Sequence, residues 1–575
     1  MNLEPKRISM LTLLFALILI TSAGGGKVAA VAVGDTFTYL PLIHKPYGVD
    51  LVINGYEVSQ SVQKSNNSVP LVSNKPTIVR IFAQTAQGPA QTGVTVSVTG
   101  YRNGSPLGTV SDGPKTVPLS PARSDYGSTF NVALPSAWLS GSVELVAAVD
   151  SGGVIPEDDE GNNTASFTIN FNSVPALDVK IVPINYTHTP TGVYYPGQAV
   201  DYISGWIARA YPVAAVNISF RASYNFVGDL RSSNEWVRLL NEVTALKSTD
   251  NAPSSQVYYA FVPISNGASQ WFHSGIAGVG WIGWPRASVG LNLGAQTDTA
   301  ILAAHEIGHN LGREHAPCGV SNPDVNYPYG GASIGEYGLD IVLPSVTLLN
   351  PGAYVDMMSY CSPEWLSDYT YIGLYNDQQA KGLYTQSAAV NSLFVRAELN
   401  ERGEAIMKPI YTFPAAPTQA PSSSPYEVQL VDGSGRLIMT QPAHLLVAEE
   451  EGLRAAAVQA VLPVPDAPVA AVRLVRAGQT VGERRLLTQK SPAAAAAPSL
   501  SQRNGQVELS WGMLGSPALV RFSADNGESW TTVGMDLVEG RLSLSLEALP
   551  AANGRFEVIL GDRAVSLTLT AELLP

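Results

Sequence analysis

The stretch His305-Glu306-Ile307-Gly308-His309-Asn310-Leu311-Gly312-Arg313-Glu314-His315 decides how this chain is interpreted. It holds three of the seven histidines, at spacings of four and six residues. Four residues are slightly more than one helical turn, so a helix would place His305 and His309 on the same face. Two neutral imidazoles on one face can bind a single zinc ion. The apolar segment before them, residues 298–304, predicts the first turns of a buried helix.

The remaining residues of this stretch complete a catalytic rather than a structural metal site. Gly312 allows the chain to leave the helix sharply, because glycine adopts positive φ at little cost. That turn can bring His315 back as a third ligand. The fourth position stays open for water, which is typical of catalytic zinc. Glu306 can then act as general base on the zinc-bound water.

With these residues the chain resembles the metzincin clan of zinc endopeptidases, which also carry a methionine turn downstream. The segment Asp356-Met357-Met358-Ser359-Tyr360-Cys361 matches that turn. The resemblance covers residues 175–390. It implies that Met358 forms an apolar floor below the zinc ligands. For Tyr360 two interpretations stand: a catalytic residue that contacts zinc or stabilises the tetrahedral intermediate, or a core or cleft aromatic whose hydroxyl is hydrogen-bonded.

The two cysteines, Cys318 and Cys361, follow the third histidine and the methionine turn. The resemblance implies that these two segments meet below the zinc. In an exported protein the two thiols would then form a disulfide, and two free thiols are the alternative. No cysteine precedes Cys318, so the cysteine-based latency of some metzincins is not available to this chain.

Composition limits the remaining possibilities. A chain of 575 residues exceeds one hydrophobic core and predicts about three to five domains. Few charged residues (14%) with 52 glycines and 40 prolines suit extracellular β-rich modules. The formal net charge of −13, without a basic run, argues against nucleic acid as a partner. We expect a monomer.

The N-terminus predicts export. Lys6 and Arg7 precede an apolar run too short for a comfortable membrane span, and together they indicate a signal peptide at 1–23. Cleavage after Ala23 or near Ala30 would fit, and an uncleaved anchor is the alternative. No cysteine lies near these positions, so a lipid-modified cysteine is excluded. A linker at 24–47 would follow, and the protein would be secreted.

Residues 48–172 alternate with a period of two and predict a β-sandwich. Its end, the acidic stretch 155–164, resembles the last hairpin of CARDB-type, Ig-like adhesion modules. The four consecutive acidic residues Glu157-Asp158-Asp159-Glu160 either hold calcium or form a solvated turn.

Between residues 175 and 300 strands and helices alternate, which together with the zinc helix predicts the α/β (α+β) fold of a metzincin. Gln198 to Tyr211 has helical periodicity. The glycine-rich stretch 275–290 would border the cleft, where an edge strand can pair with an extended substrate. Trp281 and Trp284 would either line this cleft or lie in the core.

Beyond residue 390 the period is again two. We predict a β-sandwich at 392–487, a Pro/Ala linker at 488–498 and a small β-sandwich at 499–575. The chain is therefore expected to be multidomain, with β-sandwiches on both sides of the protease module. These sandwiches would place the enzyme on a cell surface, a glycan or matrix.

The sequence thus predicts a secreted zinc metalloendopeptidase with one catalytic Zn²⁺, bound by His305, His309 and His315, and with protein or peptide as substrate. Glu306 would take a proton from the zinc-bound water and deliver it to the leaving amine. Two other classes stay open: an adhesion or binding protein with a degenerate protease domain, and a zinc amidase or esterase.

Overall fold

The computed structural model describes residues 48–264, 275–381, 387–450, 452–487, 498–503, 505–512, 517–551, 553–562 and 565–572. Near the N-terminus it also describes an antiparallel sheet of three short strands, β1 Ile18–Thr21, β2 Lys27–Val33 and β3 Thr36–Thr38. Apart from these strands, the predicted signal peptide and first linker lie outside the described residues, as does the second linker up to residue 497. No helix in the described ranges has the length and apolar character to cross a membrane.

The chain divides into two compact units. The first comprises Met1–Gln60, Ser65–Ser68 and Pro76–Phe171, and the second comprises Ser61–Lys64, Val69–Lys75 and Asn172–Pro575. The first unit contains the predicted N-terminal sandwich. The second unit contains both the predicted protease module and the C-terminal sandwiches, so the finer boundaries near 390 and 488 stay predictions.

The first unit is built from two antiparallel sheets. Strands β4 to β11 are, in chain order, Asp50–Ser59, Leu71–Val72, Ile78–Gln87, Gln91–Arg102, Ser105–Val117, Phe130–Ala133, Gly141–Val149 and Thr164–Asn172. Of these, β5 belongs to the second unit. One sheet has the order β4-β6-β9 and the other contains β11-β10-β7-β8. Along β10, Val143, Leu145 and Ala147 are buried and alternate with more exposed residues, which is the period of a strand with one face in a core.

A mixed sheet forms the centre of the predicted protease module, residues 175–390. Its strands β12 to β18 are Leu177–His188, Tyr194–Tyr195, Val216–Phe220, Tyr224–Gly228, Val257–Val262, Gly278–Gly280 and Ala287–Leu291. The order is β13-β12-β16-β18-β17, and β14 and β15 also pair with β12. Strand β16 is buried along its whole length, as expected for a parallel strand covered on both faces. Strand β17 ends this order and runs antiparallel to β18.

Four helices accompany this sheet: α1 Ile203–Ala210, α2 Ser233–Thr249, α3 Gln296–Asn310 and α4 Asp368–Lys381. The helix predicted from Gln198 begins only at Ile203, because Val200, which extends the apolar period, is buried outside the helix. Two small sheets follow α3, made of β19 Gly338–Val342 with β20 Ser345–Leu349 and of β21 Val355–Asp356 with β22 Glu364–Trp365.

The C-terminal part of the second unit consists of strands alone. Strands β23 to β31 are Val390–Leu399, Ala405–Met407, Tyr411–Ala415, Tyr426–Val431, Leu437–Pro442, His444–Glu450, Leu453–Pro463, Ala471–Arg476 and Gln479–Arg485. Strands β32 to β38 are Ser499–Arg503, Gln506–Ser510, Ala518–Ser523, Thr531–Leu537, Arg541–Ser545, Asn553–Leu560 and Val565–Glu572. They form four sheets, two of them among β23 to β31 and two among β32 to β38.

One hydrophobic cluster joins the protease module to these strands. It contains Trp236 and Trp281 from the protease module together with Phe394, Leu446 and Leu519 from the C-terminal strands, all buried. The two parts of the second unit therefore share one core, and burial of apolar surface in it stabilises both. The protein is therefore multidomain and rich in β-strands, with few helices.

Candidate metal centre

Helix α3 presents His305 and His309 one turn apart, as their spacing predicts. The Nδ1 atom of His305 is 2.7 Å from the Met357 carbonyl, and Nδ1 of His309 is 2.7 Å from the Arg313 carbonyl. A carbonyl only accepts, so both Nδ1 atoms carry the proton. In the neutral tautomer, each Nε2 therefore presents a lone pair, which is the form that binds a metal ion.

The chain turns back immediately after α3. Gly312 has φ of +77°, and Arg313 N donates to Gly308 O at 3.0 Å, which closes the helix end. A side chain at residue 312 would meet no atom within 4 Å, so the requirement for glycine comes from the backbone angle alone. The turn brings the buried His315 to the other two histidines.

Three imidazole nitrogens converge at this point. Nε2 of His309 is 3.1 Å from Nε2 of His305 and 3.2 Å from Nε2 of His315. The His305 contact joins two lone pairs and is therefore not a hydrogen bond. Nitrogens bound at about 2.0–2.1 Å to one tetrahedral zinc ion would lie about 3.3 Å apart. The spacing of the three donors thus fits a single zinc-sized cation.

The surroundings of His305 and His315 keep these two histidines neutral. Burial, with the neighbouring His309 and His315, lowers the pKa of His305 to about 3. Burial also lowers the pKa of His315. A metal ligand must be deprotonated, so these shifts favour metal binding at neutral pH.

The methionine turn lies directly below the helix. A Cβ atom added to Gly308 would come within 2.6 Å of Met358 Sδ, so the two segments are in close contact only because residue 308 is glycine. The buried Asp356 shapes the turn by accepting from Met358 N and Ser367 N, both at 2.9 Å. Met358 is itself buried, and its role as an apolar floor stays a prediction.

A disulfide joins Cys318 to Cys361, as the sequence analysis expected. Two backbone hydrogen bonds accompany it, from Ala316 N to Met358 O at 2.9 Å and from Tyr360 N to Cys318 O at 3.0 Å. The loop that carries the third histidine is therefore tied to the methionine turn.

Glu306 faces a cavity of about 570 Å³ beside the histidines. Apolar residues Leu293, Ile301 and Leu302 line part of its wall. Glu306 Oε2 is buried and has no hydrogen-bond partner among the described residues. A Cβ atom added to Gly278 of β17 would lie 2.4 Å from Glu306 Oε1, so glycine is needed where the cleft strand passes this carboxyl. Burial and the nearby Glu450 raise the pKa of Glu306.

Tyr360 lies at the same site. Its ring centroid is 5.0 Å from that of His315 and 5.8 Å from that of His305, and its hydroxyl donates to Glu450 Oε2. The structure thus brings together every site residue predicted from the sequence: three histidines, Glu306, Met358 and Tyr360. Their catalytic roles stay predictions.

One residue of the centre was missed. Glu450, at the end of β28, lies with Oε1 3.4 Å from His309 Nε2 and Oε2 3.6 Å from His315 Nε2. The ligand atoms of the three histidines and Glu450 all lie within 4.8 Å of one another. Burial opposes ionisation of Glu450, yet His309 and His315 lower its pKa overall. The alternation Leu446, Ala448, Glu450 on the buried face of a strand was the one signal in the sequence.

The structure decides between the two alternatives left open for Trp281 and Trp284. Trp281 lies in the core and not in the cleft, since it is fully buried and donates from Nε1 to Thr244 Oγ1 at 2.7 Å. Trp284 stacks on His444, with ring centroids 3.7 Å apart. Neither tryptophan lines the cavity beside the histidines.

Of the two interpretations of residues 157–160, the calcium site is not supported. Glu157 accepts from Leu51 N at 2.5 Å and from Asn163 Nδ2 at 3.0 Å. Asp159 caps a short 3₁₀ helix by accepting from Gly161 N at 2.8 Å. These carboxylates act as hydrogen-bond acceptors for β4 and for their own turn. Within the described ranges, the group that meets the geometry of a metal site is the one formed by the three histidines and Glu450.

Comparison with protein families gives one match near this centre. Residues 215–316 match the family described as "Metallo-peptidase family M12B Reprolysin-like". The matched range runs from β14 through α3 to the residue after His315. No curated protein matches the chain. The family match and the histidine cluster together support a zinc metallopeptidase in general terms.

Solved structures show only weak likeness. The CARDB domain of PF1109 from Pyrococcus furiosus, in its solution structure, is 20% identical, covers 22% of this chain and 96% of that chain, and gives a TM-score of 0.14. Its crystal structure with di-metal ions gives 22% identity, 22% and 94% coverage and a TM-score of 0.14. The FN1–FN3 domains of chicken CNTN1 give 11% identity, 33% and 63% coverage and a TM-score of 0.11. Scores this low carry no argument about fold or function.

Proposed function

We propose that this chain is a secreted, zinc-dependent metalloendopeptidase with a metzincin-like catalytic module. The observation that carries the proposal is the convergence of three Nε2 atoms at zinc spacing beside Glu306. His305, His309 and His315 would hold the ion as neutral imidazoles. Zinc, when bound, supplies a Lewis acid that acidifies water and polarises the scissile carbonyl. The other steps belong to side chains of this chain.

Glu306 is proposed as the general base. Its side chain lines the cavity, and no described residue hydrogen-bonds its buried Oε2 atom, so a water molecule in the cavity has a free carboxyl group as acceptor. Burial raises the pKa of Glu306, and a carboxylate with a raised pKa takes up a proton more readily near neutral pH. The same carboxyl would deliver this proton to the leaving amine, so that the nitrogen departs as a neutral amine.

The substrate is proposed to be an extended peptide. Strand β17 ends the described sheet next to Glu306, and its two glycines carry no side chain that would block pairing with an extended substrate. The apolar part of the cavity, which includes Ile301 and Leu302, would take one substrate side chain. Tyr360 would donate its hydroxyl to the carbonyl oxygen as charge develops there, once the hydroxyl is released from Glu450.

Export is supported by the predicted signal peptide and by the disulfide, since disulfides persist in oxidising compartments. The β-sandwiches would bind the enzyme to a cell surface, glycan or matrix. A zinc amidase or esterase and a degenerate protease domain are the rival functions, and cleavage of a protein substrate at internal bonds separates them from an endopeptidase.

The proposal is tested with Glu306→Gln in the full-length protein, assayed with fluorescently labelled casein. We expect hydrolysis to fall by about 10²–10⁴-fold while zinc stays bound, because the base is lost and the three imidazoles remain. Glu314→Gln, in the same motif but exposed, is the matched control and should keep its activity. Undiminished hydrolysis by Glu306→Gln, or hydrolysis unaffected by a zinc chelator, would contradict the proposal.

A further inference from the structure

A carboxylate from the C-terminal sandwich lies inside the protease cleft. Glu450 ends β28, yet its side chain is only 6% exposed and its two oxygens approach His309 and His315 at 3.4 and 3.6 Å. The Tyr360 hydroxyl holds one of these oxygens. The other, Oε1, is buried and makes no hydrogen bond within the described ranges.

The hairpin that carries Glu450 is firmly seated on the protease module. Ile282 N, two residues after β17, donates to Val447 O of β28 at 2.9 Å. The ring of His444 stacks on Trp284. Leu446 and Ala448, on the same strand face as Glu450, belong to the core cluster that includes Trp281. The position of Glu450 therefore follows from a packed interface and not from a freely moving surface side chain.

The donor set around Glu450 suits a cation. A buried carboxylate that faces imidazole lone pairs is costly unless a positive charge lies between them. Three nitrogens and one carboxylate oxygen lie within 4.8 Å of one another, which is the number of ligands that a closed, four-coordinate zinc site has. A catalytic site needs three protein ligands and one open position.

We infer that Glu450 is a fourth metal ligand and that the β28–β29 hairpin holds the peptidase in a latent state. This inference rests on the proposed function. The carboxylate fills the position where water must bind, and β28 lies where the backbone beside β17 would receive the substrate. Activation then requires displacement of the hairpin, which opens the fourth position and releases the Tyr360 hydroxyl. Such latency needs no cysteine, and this chain has none upstream of the site.

The inference is tested with Glu450→Gln in the full-length protein, with Glu427→Gln as the matched control. Glu427 is an exposed glutamate on β26 of the same sandwich. Co²⁺ is bound in place of zinc, and its visible absorption reports the number and type of ligands. We expect the spectrum of Glu450→Gln to differ from that of the wild type, and the spectrum of Glu427→Gln to be unchanged. Identical spectra for all three proteins would overturn the inference.

Zinc affinity and hydrolysis give two further readouts. Loss of a group that only hydrogen-bonds to a metal ligand weakens metal binding by about 10–100-fold. Loss of a direct ligand should weaken zinc binding by at least as much. We expect a chromophoric chelator to compete more readily for zinc in Glu450→Gln, while casein hydrolysis rises at saturating zinc. Unchanged zinc affinity together with unchanged hydrolysis would argue against a ligand at residue 450, even in an active peptidase.

A second variant guards against misfolding. Trp284→Ala removes the stacking partner of His444 without touching the ligands, and it should raise hydrolysis by loosening the hairpin. If Glu450→Gln does not fold, unchanged hydrolysis by Trp284→Ala overturns the latency. If no variant hydrolyses casein, the proposed peptidase function fails, and the Co²⁺ spectra still decide whether Glu450 binds the metal.

Discussion

Acidic residues have opposite surroundings in the metal cleft and in the acidic turn at residues 157–160. In the turn, Glu157 and Asp159 accept from backbone amides and from an asparagine. In the cleft, Glu450 faces imidazole nitrogens and Glu306 has a buried oxygen without a hydrogen-bond partner in the described part of the chain. A carboxylate surrounded by donors is satisfied by the protein, whereas one surrounded by lone pairs requires a cation or a proton. Acidity alone therefore does not mark a metal site.

The largest difference in stability between the two regions should appear when the Cys318–Cys361 disulfide is removed. The cleft depends on a covalent link between the His315 loop and the methionine turn, whereas the acidic turn is held by side-chain hydrogen bonds. For a sequence separation of 43 residues, the loss of the Cys318–Cys361 bond should cost about 4 kcal/mol of unfolding free energy. The Cys318→Ser/Cys361→Ser variant, unfolded in urea, measures this change.

In the same variant, zinc affinity should fall, because His315 is no longer held against the other ligands. Added reductant should reproduce both changes in the wild type and should not alter the variant. A variant with wild-type stability and zinc affinity would show that the loop is fixed without the disulfide.

The next effect is the pH dependence of stability that arises from His444, which stacks on Trp284 and holds the Glu450 hairpin on the protease module. Burial lowers the pKa of His444 to about 4, below the value of about 6.5 of an exposed histidine. Between these values the unfolded chain binds the proton and the folded one does not, so stability rises with pH. The contribution of neutral His444 to the unfolding free energy is complete above about pH 6.5. It is lost as the pH falls to about 4, and the loss is about 3 kcal/mol.

His444→Phe keeps the ring that stacks on Trp284 and removes the titration. Urea unfolding at pH 7.5 and at pH 4.5 should show a smaller loss of stability on acidification for this variant than for the wild type. Parallel losses would mean that His444 does not report on the seated hairpin.

The smallest effect is expected in the acidic turn. Glu157→Ala should lower the unfolding free energy by about 1–3 kcal/mol, because it leaves Leu51 N without its acceptor and removes one of the two acceptors of the Asn163 amide. Added calcium should leave the thermal midpoint of the wild type unchanged, because the carboxylates do not converge. A calcium-dependent rise of the midpoint that disappears in Glu157→Ala would restore the calcium site.

The part of the metal centre that is local in sequence could be predicted, and the remote part could not. His305, His309 and the turn at Gly312 follow from helical geometry and from the one residue type that adopts positive φ easily. Glu450 lies 90 residues beyond Tyr360. Its arrival in the cleft depends on how the C-terminal sandwich packs on the protease module, which no local pattern encodes.

The fold shows the same division. An alternating segment predicted β10, which has one face in the core, and a continuous apolar run predicted β16, which is buried on both faces. Trp281 was ambiguous, since a tryptophan suits a cleft and a core equally well and only its partner Thr244 distinguishes the two. The start of α1 was misjudged because Val200 continues the apolar period of the helix but is buried in the segment before it.

The most direct test of the central claim compares Glu450→Gln with the double variant Glu306→Gln/Glu450→Gln. Both are full-length, both are loaded with one equivalent of zinc, and both are assayed for hydrolysis of labelled casein. The fourth ligand is absent from both proteins, so they differ only in the proposed base. We predict hydrolysis by the single variant and a rate about 10²–10⁴-fold lower for the double variant. Equal rates in the two proteins would contradict the account.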